Sequence, residues 1–161
     1  MTNNKYNNAE AFRYVILATQ RLGNRMLNDL LKKTGLTASQ AEVIRVLNDW
    51  KTLSLKELGK LLICETGSPS RLIDRMSKDG LIEKIIDPND SRYLVLQLTA
   101  DGLEKAKSIK NIEMQFYEQV MTMYSEDELE KTTSLLMRFL KDQPVIEALK
   151  NRGFEKEESN K

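Results

Sequence analysis

Histidine is absent from all 161 residues. This removes the commonest general base and the commonest protein ligand for zinc, so most hydrolytic and metal-dependent chemistries are disfavoured. Neither catalysis nor a cofactor is expected. The single cysteine, Cys64, excludes an internal disulfide. No apolar run approaches the roughly 20 residues of a membrane span, and the opening MTNNKYNNAE is polar with no signal-peptide core. No membrane partner and a cytoplasmic location follow as expectations. Charge of one sign is also missing, because 25 Lys and Arg face 24 Asp and Glu. What remains, 40% hydrophobic and 30% charged residues, is ordinary for a helix-rich domain large enough to bury a core.

The chain offers a series of helical patterns with polar punctuation. Residues 1–8 have little to bury and are expected to be disordered. From about Ala9, the positions Phe12, Ile16, Thr19, Leu22, Met26 and Leu30 recur every three or four residues, which predicts a long amphipathic helix stopped at Thr34-Gly35. Such a stripe needs either the far end of the chain or a second subunit to cover it. Two overlapping capping boxes, Thr37 to Gln40 and Ser39 to Glu42, announce a helix to about Asp49, and Ser54 to Glu57 announces a short one. Leu53 and Ser54 are candidates for a minimal third strand. Thr99 is placed to cap a helix running to about Tyr124, Ser125 to Glu128 opens another, and Pro144 breaks it.

Between these flanks, the stretch from Thr66 to Leu98 carries the clearest message. Thr66, Ser68, Ser70 and Arg71 are short polar or cationic groups, whereas Leu72, Ile73 and Met76 form an apolar face at helical spacing. Pro69 belongs in a first helical turn, so the helix should begin between Glu65 and Ser68, and Gly80 should end it. LIEKII and YLVLQL then read as two strands around the turn formers Pro88, Asn89, Asp90 and Ser91, with Arg92 at the loop's return. A helix with a polar start, followed by a hairpin with an arginine at its tip, has the layout of a winged helix-turn-helix. Its helix would enter a major groove and its wing an adjacent minor groove of double-stranded DNA.

The run RLIDRMSKDGLIEKIIDPNDSRYLVLQLTADG resembles the MarR family of transcription regulators, whose signature is a D-x-R wing followed by an L-x-L-T-x-x-G strand end. Here those residues are Asp90, Arg92, Leu96, Leu98, Thr99 and Gly102. The resemblance extends more weakly over residues 9–141. It implies a mainly α fold with a small β-hairpin wing, in which a winged module over residues 36–99 is flanked by dimerisation helices at 9–34 and 100–151, leaving a charged tail at 152–161. It also implies a homodimer on a pseudo-palindromic operator, with half-sites roughly 10 base pairs apart. Repression relieved by a small amphipathic or aromatic effector would fit the same family. Phe12, Tyr14, Ile16, Met26 and Trp50 are plausible walls for such a ligand, and equally plausible core.

The candidate DNA contacts are Thr66, Ser68, Ser70, Arg71, Arg75, Lys84, Asn89, Ser91 and Arg92, with Asp90 as wing support. Arg71 can pair bidentately with a guanine edge, worth roughly 1 to 3 kcal/mol of discrimination. The serines near Pro69 serve equally well as a helix cap. In the family the wing arginine enters the minor groove, held by the wing aspartate. Arg75 stands where a family arginine is often paired to that aspartate, which makes it support or contact. Lys84 replaces a common arginine and forgoes bidentate phosphate pairing. Residues 54–98 hold seven cations and seven acids, so these groups must be sorted in space if DNA is to be bound. Two alternatives stand beside this reading. One is a winged protein-interaction module without DNA binding, and the other is a regulator switched by oxidation of Cys64. Cys64 itself reads as a small buried hydrophobe, with Glu65 opposing a thiolate.

Overall fold

The described residues, 5–64 and 69–154 of a computed structural model, form seven α-helices and one hairpin. Helix α1 spans Asn7–Leu31 and so begins two residues before the expected Ala9. A short 3-10 turn follows, closed by Gly35 at φ 73, a left-handed conformation that glycine adopts without steric cost. Helix α2 covers Ala38–Trp50. Of the two overlapping capping boxes, Thr37 and Gln40 form theirs, with Thr37 N donating to Gln40 Oε1 at 2.9 Å and Gln40 N to Thr37 Oγ1 at 3.3 Å. The Ser39 to Glu42 box does not form, because Glu42 turns into the interior.

Ser54 and Glu57 cap helix α3, Leu55–Gly59, as their spacing predicts. Helix α4 is Ser70–Lys78, with Pro69 at its N-cap (φ −68) rather than inside the first turn. The expected start between Glu65 and Ser68 lies outside the described residues. Gly80 at φ 73 then turns the chain into strand β1, Ile82–Ile86, which pairs antiparallel with β2, Leu94–Leu98. Leu53 adds a single bridge to Leu96, with Leu53 N donating to Leu96 O at 3.2 Å and Leu96 N to Leu53 O at 2.7 Å. Ser54 takes no part in it, being committed to its cap. Helices α5 (Ala100–Met123), α6 (Glu126–Leu140) and α7 (Val145–Asn151) complete the chain.

One core joins α2, α3, α4, the hairpin and the first half of α5. Leu31, Ile44, Leu47, Leu58, Ile73, Met76, Ile82 and Ile109 are its largest fully buried side chains. The second half of α5 and all of α6 contribute none of the buried residues. The fold is therefore mainly α with a small hairpin wing, as the sequence predicts. Among the described residues, no helix is long and apolar enough to cross a membrane.

The L-x-L-T-x-x-G segment is a structural clasp at the base of the wing. Thr99 Oγ1 donates to the Gly80 carbonyl at 2.6 Å and accepts from Gly102 N at 3.1 Å, while Thr99 N donates to Leu81 O at 3.1 Å. Leu96 and Leu98 anchor the strand in the core. One threonine thus ties the end of the hairpin to the turn after α4 and starts α5 in the same place.

Candidate nucleic-acid interface

Helix α4 is amphipathic with a cationic outer face. At about 100° per residue, Ile73 and Met76 lie opposite Arg71, Arg75 and Lys78, which follow one another at i, i+4 and i+7. Ile73 and Met76 are fully buried, whereas the three cations are exposed and make no ion pair with another described residue. Lys78 was not among the candidates, although its spacing from Arg71 and Arg75 in the sequence places it on their face. Ser70 is half-buried at the helix start, and Thr66 and Ser68 lie outside the described residues.

The wing loop is built by its own aspartates. Asp87 Oδ1 accepts from Asn89 N at 2.8 Å, and Asp90 Oδ1 accepts from Arg92 N at 3.1 Å. These two local turns explain why D-P-N-D-S-R closes the hairpin. Asp90 also grips the Arg92 side chain, which donates from Nε to Oδ1 at 2.9 Å and from Nη2 to Oδ2 at 2.6 Å. Those hydrogen bonds hold the Asp90 carboxyl below its ordinary range and raise the guanidinium further. The pair is solvated, and the arginine side chain remains 78% exposed. Its guanidinium also lies 5.6 Å from the Tyr93 ring centroid. Asn89 and Ser91 are exposed beside it.

The even charge count is sorted in space. Glu57 is spent on the Ser54 cap, Glu83 accepts from Gln97 Nε2 at 2.6 Å, and Asp74 pairs with Lys84 at 3.1 Å. Asp90 faces Arg92, so it does not hold Arg75. Arg75 is left as an outward cation and Lys84 as a tethered one.

The family model for "MarR family" matches residues 36–94, the segment that contains α2 to the wing. The chain is 34% identical over 79 residues to the multiple antibiotic resistance protein MarR of Salmonella typhimurium, a match covering 49% of this chain and 55% of that protein. This chain thus spans about half the length of that relative. With the MarR of Escherichia coli K12 it shares 28% identity over 118 residues, covering 73% of this chain and 82% of that one. A crystal structure of a mutant Escherichia coli MarR complexed with operator DNA superposes with a TM-score of 0.73 at 23% identity, over 84% of this chain and 98% of the other, and so shares its fold. Over residues 36–94 the chain resembles the MarR family. Its wing holds the D-x-R pair as a formed ion pair, and its L-T-x-x-G segment is the clasp described above.

Two further expectations need separate treatment. Cys64 is exposed, not buried. The buried Glu42 carboxylate accepts from Ile63 N at 3.0 Å and Cys64 N at 2.8 Å, so the turn is held to the interior by its main chain. Desolvation by the surrounding chain, then the Glu42 carboxylate, push that thiol up to about 11. Glu42 supplies the opposing charge that was expected of Glu65, which lies outside the described residues. At neutral pH the group is a thiol, which is unreactive toward mild oxidants. Peroxide treatment is therefore expected to leave DNA affinity unchanged in the wild type and in Cys64→Ser alike. Loss of binding in the wild type but not in the serine variant would restore the redox switch. Of the candidate effector walls, Phe12, Tyr14 and Trp50 are exposed and Ile16 and Met26 half-buried, with Phe12 edge-on to Phe139 of α6 at 5.8 Å.

Proposed function

We propose that this protein is a homodimeric, sequence-specific DNA-binding transcription regulator acting as a repressor in the cytoplasm. The observation that carries the reading is the outward stripe of Arg71, Arg75 and Lys78 on a helix joined through Gly80 to a wing that presents a preorganised Arg92. In this reading, Ser70 and the α4 cations enter a major groove. Asn89, Ser91 and Arg92 address the adjacent minor groove, Lys84 approaches phosphate, and Asp90 supports the wing. The operator complex of the Escherichia coli neighbour and the transcription regulators among the relatives support it.

The homodimer is supported by surface that one chain leaves open. Leu135 and Phe139 on α6 are 59% and 65% exposed, and Met121, Met123 and Leu17 are open beside them in sequence or on α1. In this reading residues 9–34 and 100–151 are the dimerisation region, and residues 36–99 the DNA-reading module. Two modules on one dyad would read half-sites about one helical turn apart.

The test is fluorescence anisotropy against duplexes selected from a random pool and against the region upstream of the protein's own gene, at several salt concentrations, with the mass in solution measured by light scattering. The expected result is a dimer whose affinity falls steeply with salt, with a log-log slope of several units. A folded protein that binds neither DNA specifically nor with salt dependence would favour the protein-interaction module instead.

A further inference from the structure

Glu42 is a buried acid with partners from two distant parts of the chain. Its side chain is 7% exposed, and besides the amides of Ile63 and Cys64 it accepts from Arg152 Nη1 at 2.6 Å, across 110 residues of sequence. The two amides satisfy its oxygens but leave a net negative charge out of water. Arg152, itself only 17% exposed at its side chain, supplies the compensating charge.

Arg152 is held from its own side as well. Helix α7 ends in a Schellman motif, in which Gly153 N donates to Lys150 O at 2.8 Å and Phe154 N to Leu149 O at 2.9 Å, with Gly153 at φ 76. The guanidinium lies 5.2 Å from the Phe154 ring centroid. The other end of the contact, Ile63–Cys64, is the segment between α3 and α4. Helix α4 is anchored from below by Ile73 and Met76, and Glu42 grips the amides of the last described residues before it.

We propose that Arg152 is a positioning residue for DNA binding: through Glu42 it fixes the Ile63–Cys64 turn that leads into α4, so that the C-terminal helix and the DNA-reading helix are set together. This rests on the DNA-binding reading above. Removing the guanidinium leaves a buried carboxylate whose grip on the turn must relax to admit water. A change in the seat of α7 would reach α4 by the same route, through loss of the Glu42–Arg152 contact.

The experiment uses the full chain and its selected operator duplex, with Arg152→Ala, Arg152→Lys, Glu42→Gln and the double variant. Affinity is read by anisotropy at a temperature where every variant is folded, and amide hydrogen exchange is read at Ile63 and Cys64. Arg152→Ala is expected to weaken binding about tenfold and to speed exchange at those two amides, while Ile44 and Leu47 in α2 keep their protection. Arg152→Lys retains most of the affinity, and the alanine change costs little in the Glu42→Gln background. Unchanged affinity for Arg152→Ala beside a wild type that binds overturns the role. So does exchange that rises evenly through the core, which is the signature of lost stability alone. A wild type that binds no DNA overturns the underlying reading and the role with it, and the wild-type control tells that case from the others.

Discussion

Arg92→Ala is expected to weaken operator binding by ten- to a hundredfold and to lower the salt slope by about one unit, the size of one lost groove or phosphate contact. The side chain is the most forward cation of the wing, and its two hydrogen bonds to Asp90 fix its aim before DNA arrives. Less rotamer entropy is then lost on binding than for a free arginine. Arg92→Lys keeps the charge but loses the two-pronged geometry, so an intermediate loss is expected. The pair should not titrate near neutrality. The Asp90 carboxyl is depressed in the folded state by the Arg92 hydrogen bonds, so the interaction is complete above the ordinary carboxylate range and is lost only as pH falls through the depressed value. Anisotropy across salt and neutral pH checks both statements. A mutant with wild-type affinity and slope would remove the wing from the interface.

Gly102→Ala is expected to cost about 3 kcal/mol of stability, at the upper end of what overpacking usually does. A Cβ at that position would run into the Leu81 carbonyl oxygen and come within 3.2 Å of Leu98 Cβ and Cδ2. The obstructing atom is backbone, and it is already the acceptor for Thr99 N, so it has nowhere to yield. Relief would require opening the clasp that joins Gly80, Thr99 and the start of α5. Urea denaturation measures the loss, and binding assayed on the fraction still folded should change far less than for Arg92→Ala. An unchanged urea midpoint would mean that the close approach is dispensable.

These two positions show what the sequence makes legible. Asp90 and Arg92 are two residues apart, and their pairing follows from local turn chemistry. The caps at Thr37, Ser54, Thr99 and Ser125 are equally local, as are the turns at Gly35 and Gly80. Errors arise where a distant partner outbids a near one. Ser39 and Glu42 have the spacing of a capping box, but Glu42 goes to Arg152 and to the Ile63–Cys64 amides, and no local pattern announces that choice. Lys84 pairs with Asp74 across a helix and a strand, which removes it from the free cations, and Lys78 was missed although its spacing from Arg71 was in plain view. The reason for the motif glycine, Gly102, becomes visible only when Leu81 is laid against it.

The lone cysteine has a practical corollary. Cys64 is the protein's sole cysteine, it is exposed as a residue, and it lies between α3 and α4 in sequence. A spin label or fluorophore attached there needs no mutagenesis, only patience, since a thiol titrating at about 11 reacts slowly at neutral pH. In a symmetric pair of subunits the two labels would form a built-in ruler. Its length, read by pulsed dipolar spectroscopy or energy transfer, would follow the separation of the two α4 helices as duplex or small molecules are added.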